Sequence, residues 1–133
     1  MVLVRCFTTV PLDKVVLITS FLVPSQSIID PEFPTTIKPN PEYRDVFEPG
    51  FKLADKVNAN VIIATDPDAD RMGAAVRKAD GDFKVLTGNQ IATLMAYYLL
   101  AHLKENGKLS SNYEIVTSVV SSALPFKIAK AFG

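Results

Sequence analysis

The sequence of 133 residues has only one cysteine and no excess of charge of either sign. Its single cysteine, Cys6, cannot form an internal disulfide, which is typical of a protein in the reducing cytoplasm. Basic and acidic residues number 14 each, so the formal net charge is zero and nothing in the composition suggests a nucleic-acid or membrane partner. With 48% hydrophobic and 21% charged residues, the composition indicates a soluble globular chain.

The sequence also has no hydrophobic run long enough for a transmembrane helix. The apolar run between Val15 and Val23 is too short for one and is interrupted by Thr19 and Ser20. Asp13 and Lys14 precede it and no clear small-x-small cleavage site follows, which argues against a signal peptide. The β-branched content of the run instead predicts one or two core strands.

The most informative stretch is a short apolar run followed at once by carboxylates at alternate positions. Val61–Thr65 is rich in β-branched residues, which is typical of a buried strand, and Asp66, Asp68, Asp70 and Arg71 follow it. Three like charges within five residues repel one another unless a partner neutralises them. Since Mg²⁺ and Ca²⁺ prefer oxygen ligands, the pattern predicts a site for one divalent cation. A solvated acidic turn that binds nothing is the alternative that the pattern leaves open.

The acidic loop does not fit an EF-hand. An EF-hand loop needs glycine at its sixth position and glutamate at its twelfth, and those positions here hold Arg71 and Arg77. An arginine beside a carboxylate-bound cation suits a site that also holds a phosphate, because guanidinium matches phosphate geometry. The loop therefore points to a phosphorylated ligand.

Hydrophobic periodicity places this loop within an α/β domain. Apolar positions at helical spacing predict a helix that begins near Glu48 or Pro49 and precedes the Val61 strand. After the loop, Asp80-Gly81 predicts a hairpin turn, and a long helix is predicted to stop at Gly107. A strand over Glu114–Val120 and a helix over Leu124–Phe132 are predicted to follow. Together these elements predict a mixed sheet flanked by helices.

The loop and three other stretches resemble one known family. Ala64–Arg71 is similar to the metal-binding loop of the α-D-phosphohexomutases, the phosphoglucomutase and phosphomannomutase group. Motifs of the same family are found in the right order at Asp30–Thr36 with Pro39–Glu42, at Leu86–Gln90 and at Val116–Ser122. The similarity is closest to the branch of bacterial phosphoglucomutases and phosphopentomutase-like enzymes.

The resemblance implies a division of the chain into three parts. Residues 23–110 would form the second mutase domain, a three-layer α/β domain with a mixed sheet flanked by helices. Residues 111–133 would begin an incomplete third domain, and residues 1–22 are a lead segment that does not resemble the family. A truncated or frame-altered gene product is our hypothesis for that lead segment.

The family transfers a phosphoryl group between the 1- and 6-hydroxyls of a hexose, or the 1- and 5-hydroxyls of a pentose, through a phosphoserine and a bisphosphate intermediate. The resemblance implies that Asp66, Asp68 and Asp70 bind Mg²⁺ and that Arg71 is a catalytic residue that holds the phosphoserine or the substrate phosphate. The implied partners are a sugar phosphate and the remaining mutase domains. The phosphoserine motif and the sugar- and phosphate-binding loops are absent from this sequence. We therefore expect the chain alone to be inactive.

Two other functions stay open from the sequence. One is a stand-alone, non-catalytic binding or regulatory module derived from a mutase domain. The other is a haloacid-dehalogenase-type phosphatase, in which an aspartate that follows a buried strand attacks phosphate, although no clear downstream lysine and acidic pair is present. The sequence does not distinguish among glucose, mannose and pentose phosphates as the substrate.

Overall fold

The computed structural model describes residues 2–7 and 18–133, and this part of the chain contains five strands and three helices. The strands are β1 (Val2–Phe7), β2 (Ile18–Leu22), β3 (Val61–Thr65), β4 (Met72–Arg77) and β5 (Phe83–Leu86). The helices are α1 (Glu48–Val57), α2 (Gly88–Glu105) and α3 (Leu124–Phe132), and 3-10 turns cover Pro24–Gln26 and Arg44–Phe47. The chain divides into two units, one that ends at Thr87 and one that comprises Gly88–Gly133.

The five strands form one sheet in the first unit, in the order β2-β1-β3-β4-β5. The predicted α/β class is confirmed, but every pair of described strands is antiparallel rather than mixed. β2 and β3 both run antiparallel to β1 and are therefore parallel to each other, joined by a crossover that contains α1. The expected parallel pair does not form because β1 lies between these two strands and hydrogen-bonds to both.

The apolar run that predicts strands near the N-terminus is described only in part. Ile18–Leu22 forms β2, in agreement with the prediction, whereas Val15–Leu17 lies outside the described residues. Val23, which follows β2, is buried. The lead segment thus contributes strands to the same sheet as the acidic loop.

The core of the first unit lies between α1 and one face of the sheet. Phe47 and Phe51 provide its aromatic layer, and the ring of Phe51 stacks on that of Phe83 with 5.1 Å between centroids. Ile62 and Ala64 of β3 are fully buried on the opposite side of this layer. Because side chains alternate along a strand, this pattern assigns the even-numbered positions of β3 to the core.

A proline-rich connector links β2 to α1 without forming a strand or an α-helix. The side chain of Gln26 donates a 2.9 Å hydrogen bond to the Val46 carbonyl, which fixes the start of the connector. The carboxylate of Asp45 accepts hydrogen bonds from the Thr36 hydroxyl (2.8 Å) and the Ile37 amide (3.0 Å), which fix its middle. Side chains rather than backbone ladders hold this irregular segment, as the frequent prolines predict.

The second unit consists of α2, α3 and the segment between them. The ring of Tyr97 on α2 packs edge-on against Phe132 of α3, with centroids 5.9 Å apart. α3 has the bounds that the sequence predicts, α2 ends near the predicted stop at Gly107, and Leu100 is the one buried residue of α2. Residues 114–120 do not form the predicted strand. A strand needs a neighbour to satisfy its backbone groups, and no strand is described in this unit.

Within residues 2–7 and 18–133, no helix combines the length and the apolar character needed to cross a membrane.

Candidate metal centre

The acidic loop connects β3 to β4 and begins with a carboxylate that belongs to the buried face of the sheet. Asp66 continues the alternation of Ile62 and Ala64, and it is only 2% exposed. The loop turns back at once, since the Ala69 amide donates to the Asp66 carbonyl at 3.2 Å. Ala69 has a φ of 59°, in the left-handed region that costs a residue with a side chain about 1 kcal/mol. This turn places three alternate carboxylates on one side of the loop.

Arg71 closes the loop by binding both carboxylate oxygens of Asp66. Its backbone N–H donates to Oδ1 at 3.1 Å and its side-chain Nε donates to Oδ2 at 2.7 Å. The same Nε lies 3.5 Å from a carboxylate oxygen of Asp70. The Asp66 side chain is fully buried whereas 53% of the Arg71 side chain is exposed. The ion pair therefore joins a fixed carboxylate to a solvent-facing guanidinium.

The pKa values of Asp66 and Asp70 shift in opposite directions because the charged groups of this loop interact. Burial opposes ionisation of Asp66, but hydrogen bonds from the backbone and side chain of Arg71 outweigh it and lower the Asp66 pKa to about 2. The pKa of Asp70 is raised, first by its hydrogen bond with Asp66 and then by repulsion from Asp68. The loop concentrates negative charge that one arginine only partly compensates.

The three carboxylates have a spacing that fits a divalent cation. Asp66, Asp68 and Asp70 each offer one oxygen, and these oxygens all lie within 4.8 Å of one another. Oxygens on opposite sides of Mg²⁺ lie about 4.2 Å apart, and those around Ca²⁺ about 5 Å apart. Asp66 is fixed in the sheet, whereas Asp68 and Asp70 are exposed and can rotate to close around an ion. The donor set consists of hard oxygens, which suits Mg²⁺ or Ca²⁺.

The exit from the loop is held by a contact that sequence reasoning missed. Gly73 follows the first residue of β4, and a Cβ atom at this position would overlap the carbonyl group of Pro41. Pro41 is fully buried, so the connector passes directly over the strand that leaves the loop. The glycine after Met72 and the Pro39–Glu42 motif were both visible in the sequence, but their contact was not.

A cleft of about 760 Å³ lies beside the loop, between it and the connector. Thr65 and Pro67, the two neighbours of Asp66, line it from the loop side, and Phe33 and Thr36 line it from the connector. No lysine or arginine is among the described residues that line it. The cleft was not predicted from the sequence, although its walls come from the segment rich in proline.

Most of the first unit matches one known protein family. The family profile described as "Phosphoglucomutase/phosphomannomutase, alpha/beta/alpha domain II" matches residues 9–81, which is more than half of the chain. The match includes β2, α1, β3, the acidic loop and β4, and it ends in the turn before β5. It begins within the lead segment, ahead of the boundary predicted at residue 23. The predicted domain boundaries at 22/23 and 110/111 also differ from the division between the two units, and they stay predictions.

Several curated proteins are similar to the chain over about four-fifths of its length. The phosphopentomutase of Mus musculus is 40% identical over 110 residues, which cover 82% of this chain and 18% of that protein. The glucose 1,6-bisphosphate synthase of Homo sapiens is 41% identical over 107 residues, covering 77% and 17%, respectively. The phosphoglucomutase of Staphylococcus saprophyticus is 40% identical over 104 residues, covering 78% and 18%. No solved structure gives a significant match.

The chain thus spans less than a fifth of the length of these relatives. The acidic loop lies inside the matched region and follows strand β3 of the first unit. The profile match covers more than half of the chain, and the relatives named as mutases agree with it. The chain therefore belongs to the phosphoglucomutase/phosphomannomutase family and carries its α/β/α domain II.

Proposed function

We propose that this chain supplies the Mg²⁺-binding part of a phosphosugar mutase, an isomerase that transfers a phosphoryl group within a sugar phosphate. The observation that carries the proposal is the convergence of Asp66, Asp68 and Asp70 beside Arg71 at the end of β3. Membership of a family whose relatives are named as phosphomutases supports it. The same membership leaves the haloacid-dehalogenase alternative without support.

The three aspartates have different tasks in this proposal. Asp66 is the fixed ligand, because it is buried and the backbone N–H of Arg71 holds its Oδ1. Asp68 and Asp70 are exposed ligands that close around the ion. When bound, Mg²⁺ neutralises charge that develops on the transferred phosphoryl group.

Arg71 is the phosphate-binding residue of the proposed site. Its Nε is bound to Asp66, but half of its side chain is exposed, so its terminal amino groups can reach a ligand. A guanidinium donates two parallel hydrogen bonds to a phosphate, which orients the phosphate as well as binding it. The phosphate is that of a phosphoserine or of the substrate.

The proposed substrate is a sugar phosphate, and the proposed partners are the remaining domains of a complete mutase. The matched relatives are about five times as long as this chain, and their names include a pentose mutase and a glucose mutase. We therefore leave the sugar open among glucose, mannose and pentose.

We propose that the isolated chain has no mutase activity, because its sequence contains no phosphoserine motif. The proposed compartment is the cytoplasm, in accordance with the single cysteine.

Calorimetric titration with Mg²⁺ tests the metal-binding role. We expect weak binding to the chain, since three carboxylates leave several coordination positions to water, and a large loss in the double variant Asp68→Asn/Asp70→Asn. The matched control is Asp80→Asn/Asp82→Asn, which removes two exposed carboxylates at the same spacing from the hairpin turn. Equal losses in the two variants would show non-specific binding and contradict the proposal. Sub-micromolar binding would contradict the expected coordination by water.

An activity assay distinguishes the mutase part from a complete enzyme. Turnover of glucose 1-phosphate in the presence of glucose 1,6-bisphosphate would contradict the proposed inactivity of the isolated chain. If the chain binds Mg²⁺ but addition of inorganic phosphate never changes that binding, Arg71 does not hold a phosphate beside the metal, and the stand-alone binding module becomes the better account.

A further inference from the structure

The contact between Arg71 and Asp66 bears on how a cation enters the proposed site. Each carboxylate oxygen of Asp66 already accepts a hydrogen bond from Arg71, one from the backbone at 3.1 Å and one from the guanidinium at 2.7 Å. The guanidinium also approaches Asp70, at 3.5 Å. A single positive charge thus lies among the same carboxylates that would hold a metal ion.

The two hydrogen bonds to Asp66 respond differently to a bound cation. The backbone bond to Oδ1 is part of the loop, since the Asp66 amide also donates to the Arg71 carbonyl at 3.4 Å. This pair of backbone contacts holds Asp66 whatever the side chain at position 71 does. The guanidinium bond to Oδ2 belongs to a half-exposed side chain that can rotate into solvent. Only the second bond is available for exchange.

Electrostatics disfavours a guanidinium and a divalent cation on the same oxygen. A cation about 2.1 Å from Oδ2 would lie only about 4 Å from Nε, and the two positive charges would repel each other there. Among the described residues, no other lysine or arginine forms an ion pair with this cluster. Arg71 is therefore the group that a metal ion has to displace.

We propose that Arg71 is an internal counter-cation of the loop, which holds Asp66 and Asp70 in the absence of metal and leaves Asp66 Oδ2 when a divalent cation binds. Displacement releases the guanidinium for a phosphate, so cation binding prepares the phosphate site. This inference rests on the proposed metal-binding function. It assigns Arg71 a positioning role that precedes its contact with any ligand.

The inference predicts that removal of Arg71 strengthens cation binding. We expect the Arg71→Met variant to bind Mg²⁺ about three- to tenfold more tightly than the parent chain, because a nearby positive charge is lost and salt screens part of the effect. A merely structural role would predict weaker binding. Lys84→Met is the control for net charge, since the exposed Lys84 pairs with Val76, at the far end of β4 from the loop. It should leave the affinity unchanged.

Three calorimetric outcomes separate the two claims. Tighter binding by Arg71→Met but not by Lys84→Met supports the inference. Equal or weaker binding by a folded Arg71→Met overturns the inference and leaves the metal-binding function standing. Absence of Mg²⁺ binding in all three proteins overturns the proposed function, and the inference fails with it.

A measurement on the unmodified chain covers the case in which Arg71→Met does not fold. The Nε–Hε resonance of Arg71 reports directly on its bond to Asp66 in ¹H–¹⁵N spectra. Saturating Mg²⁺ should shift this resonance and speed its exchange with water, while the Arg77 Nε–Hε, which donates to the Ala59 carbonyl, should not change. An Arg71 resonance that is unaffected while the loop amides shift would contradict displacement.

Discussion

The carbonyl of Pro41 lies so close to the α-carbon of Gly73 that no side chain fits between them. This contact joins the buried end of the connector to the second residue of β4, directly after the acidic loop. The loop is therefore held at both ends, by the alternation of β3 before it and by the connector after it. Its geometry depends on residues that are distant in sequence.

We expect Gly73→Ala to destabilise the first unit by about 3 kcal/mol, because the new methyl group meets a backbone carbonyl that cannot rotate away. Urea unfolding measures this cost. Gly81→Ala is the control, since a Cβ there has no atom within 4 Å and only its φ of 89° disfavours alanine, by about 1 kcal/mol. Similar costs for the two variants would contradict the close contact.

The Arg77 side chain hydrogen-bonds both to the end of α1 and to the hairpin turn. We expect its removal to lower the free energy of unfolding by more than the loss of its ion pair alone. Its Nε donates to the Ala59 carbonyl at 2.9 Å, and its Nη1 donates to Asp55 at 2.9 Å and to the Gly81 carbonyl at 3.0 Å. We expect Arg77→Met to lower the free energy of unfolding by about 2–3 kcal/mol, because two carbonyls lose their donor.

The Asp55→Asn variant removes the ion pair of Arg77 and keeps its hydrogen bonds to the two carbonyls. The Asp55 side chain is 65% exposed, so we expect this variant to cost less than about 1 kcal/mol. Thermal unfolding of both variants provides the comparison. An Asp55→Asn variant as unstable as Arg77→Met would show that the ion pair, rather than the carbonyl contacts, holds the turn.

Asp45 should make the connector sensitive to acid. The hydrogen bond from Thr36 lowers the pKa of Asp45 most. Burial raises this pKa, but the hydrogen bond from the Ile37 amide lowers it again, and the net result is a lowered pKa. A carboxylate with a lowered folded-state pKa stabilises the protein above its unfolded pKa of about 3.9, and this contribution is lost as the pH falls through the folded value. The connector should therefore loosen below about pH 4.

Amide hydrogen exchange at Ile37 tests this acid sensitivity. We expect its protection to fall on acidification in the parent chain and to be low and independent of pH in Asp45→Asn. The bonds at stake contribute about 1 kcal/mol each, so the change in protection should be several-fold per bond. If the Asp45→Asn variant still lost Ile37 protection on acidification, a group other than Asp45 would cause the acid sensitivity.

The sequence predicted the elements around the site well because local patterns determine them. The alternation that buries Ile62 and Ala64 extends to Asp66, so its burial at the end of a strand follows from the spacing alone. The start of α1 at Glu48 and the hairpin turn at Gly81 likewise follow from local signals.

Features that depend on distant partners were not predictable from such patterns. The position of β1 between β2 and β3 is set by pairing across the whole unit, which periodicity does not encode. The Pro41–Gly73 contact and the cleft beside Thr65 also arise from tertiary packing. The β-branched residues of 114–120 suggested a strand, but propensity does not supply the neighbour that a strand needs.

The most direct test of the account is to locate a bound cation on the chain itself. Mn²⁺ accepts the same oxygen ligands as Mg²⁺ and broadens nearby NMR signals. At a few per cent of the protein concentration, it should first broaden the amide resonances from Asp66 to Met72, and excess Mg²⁺ should restore them. Equal broadening at Asp80 and Asp82 of the hairpin turn, or no recovery with Mg²⁺, would contradict a specific magnesium site in the acidic loop.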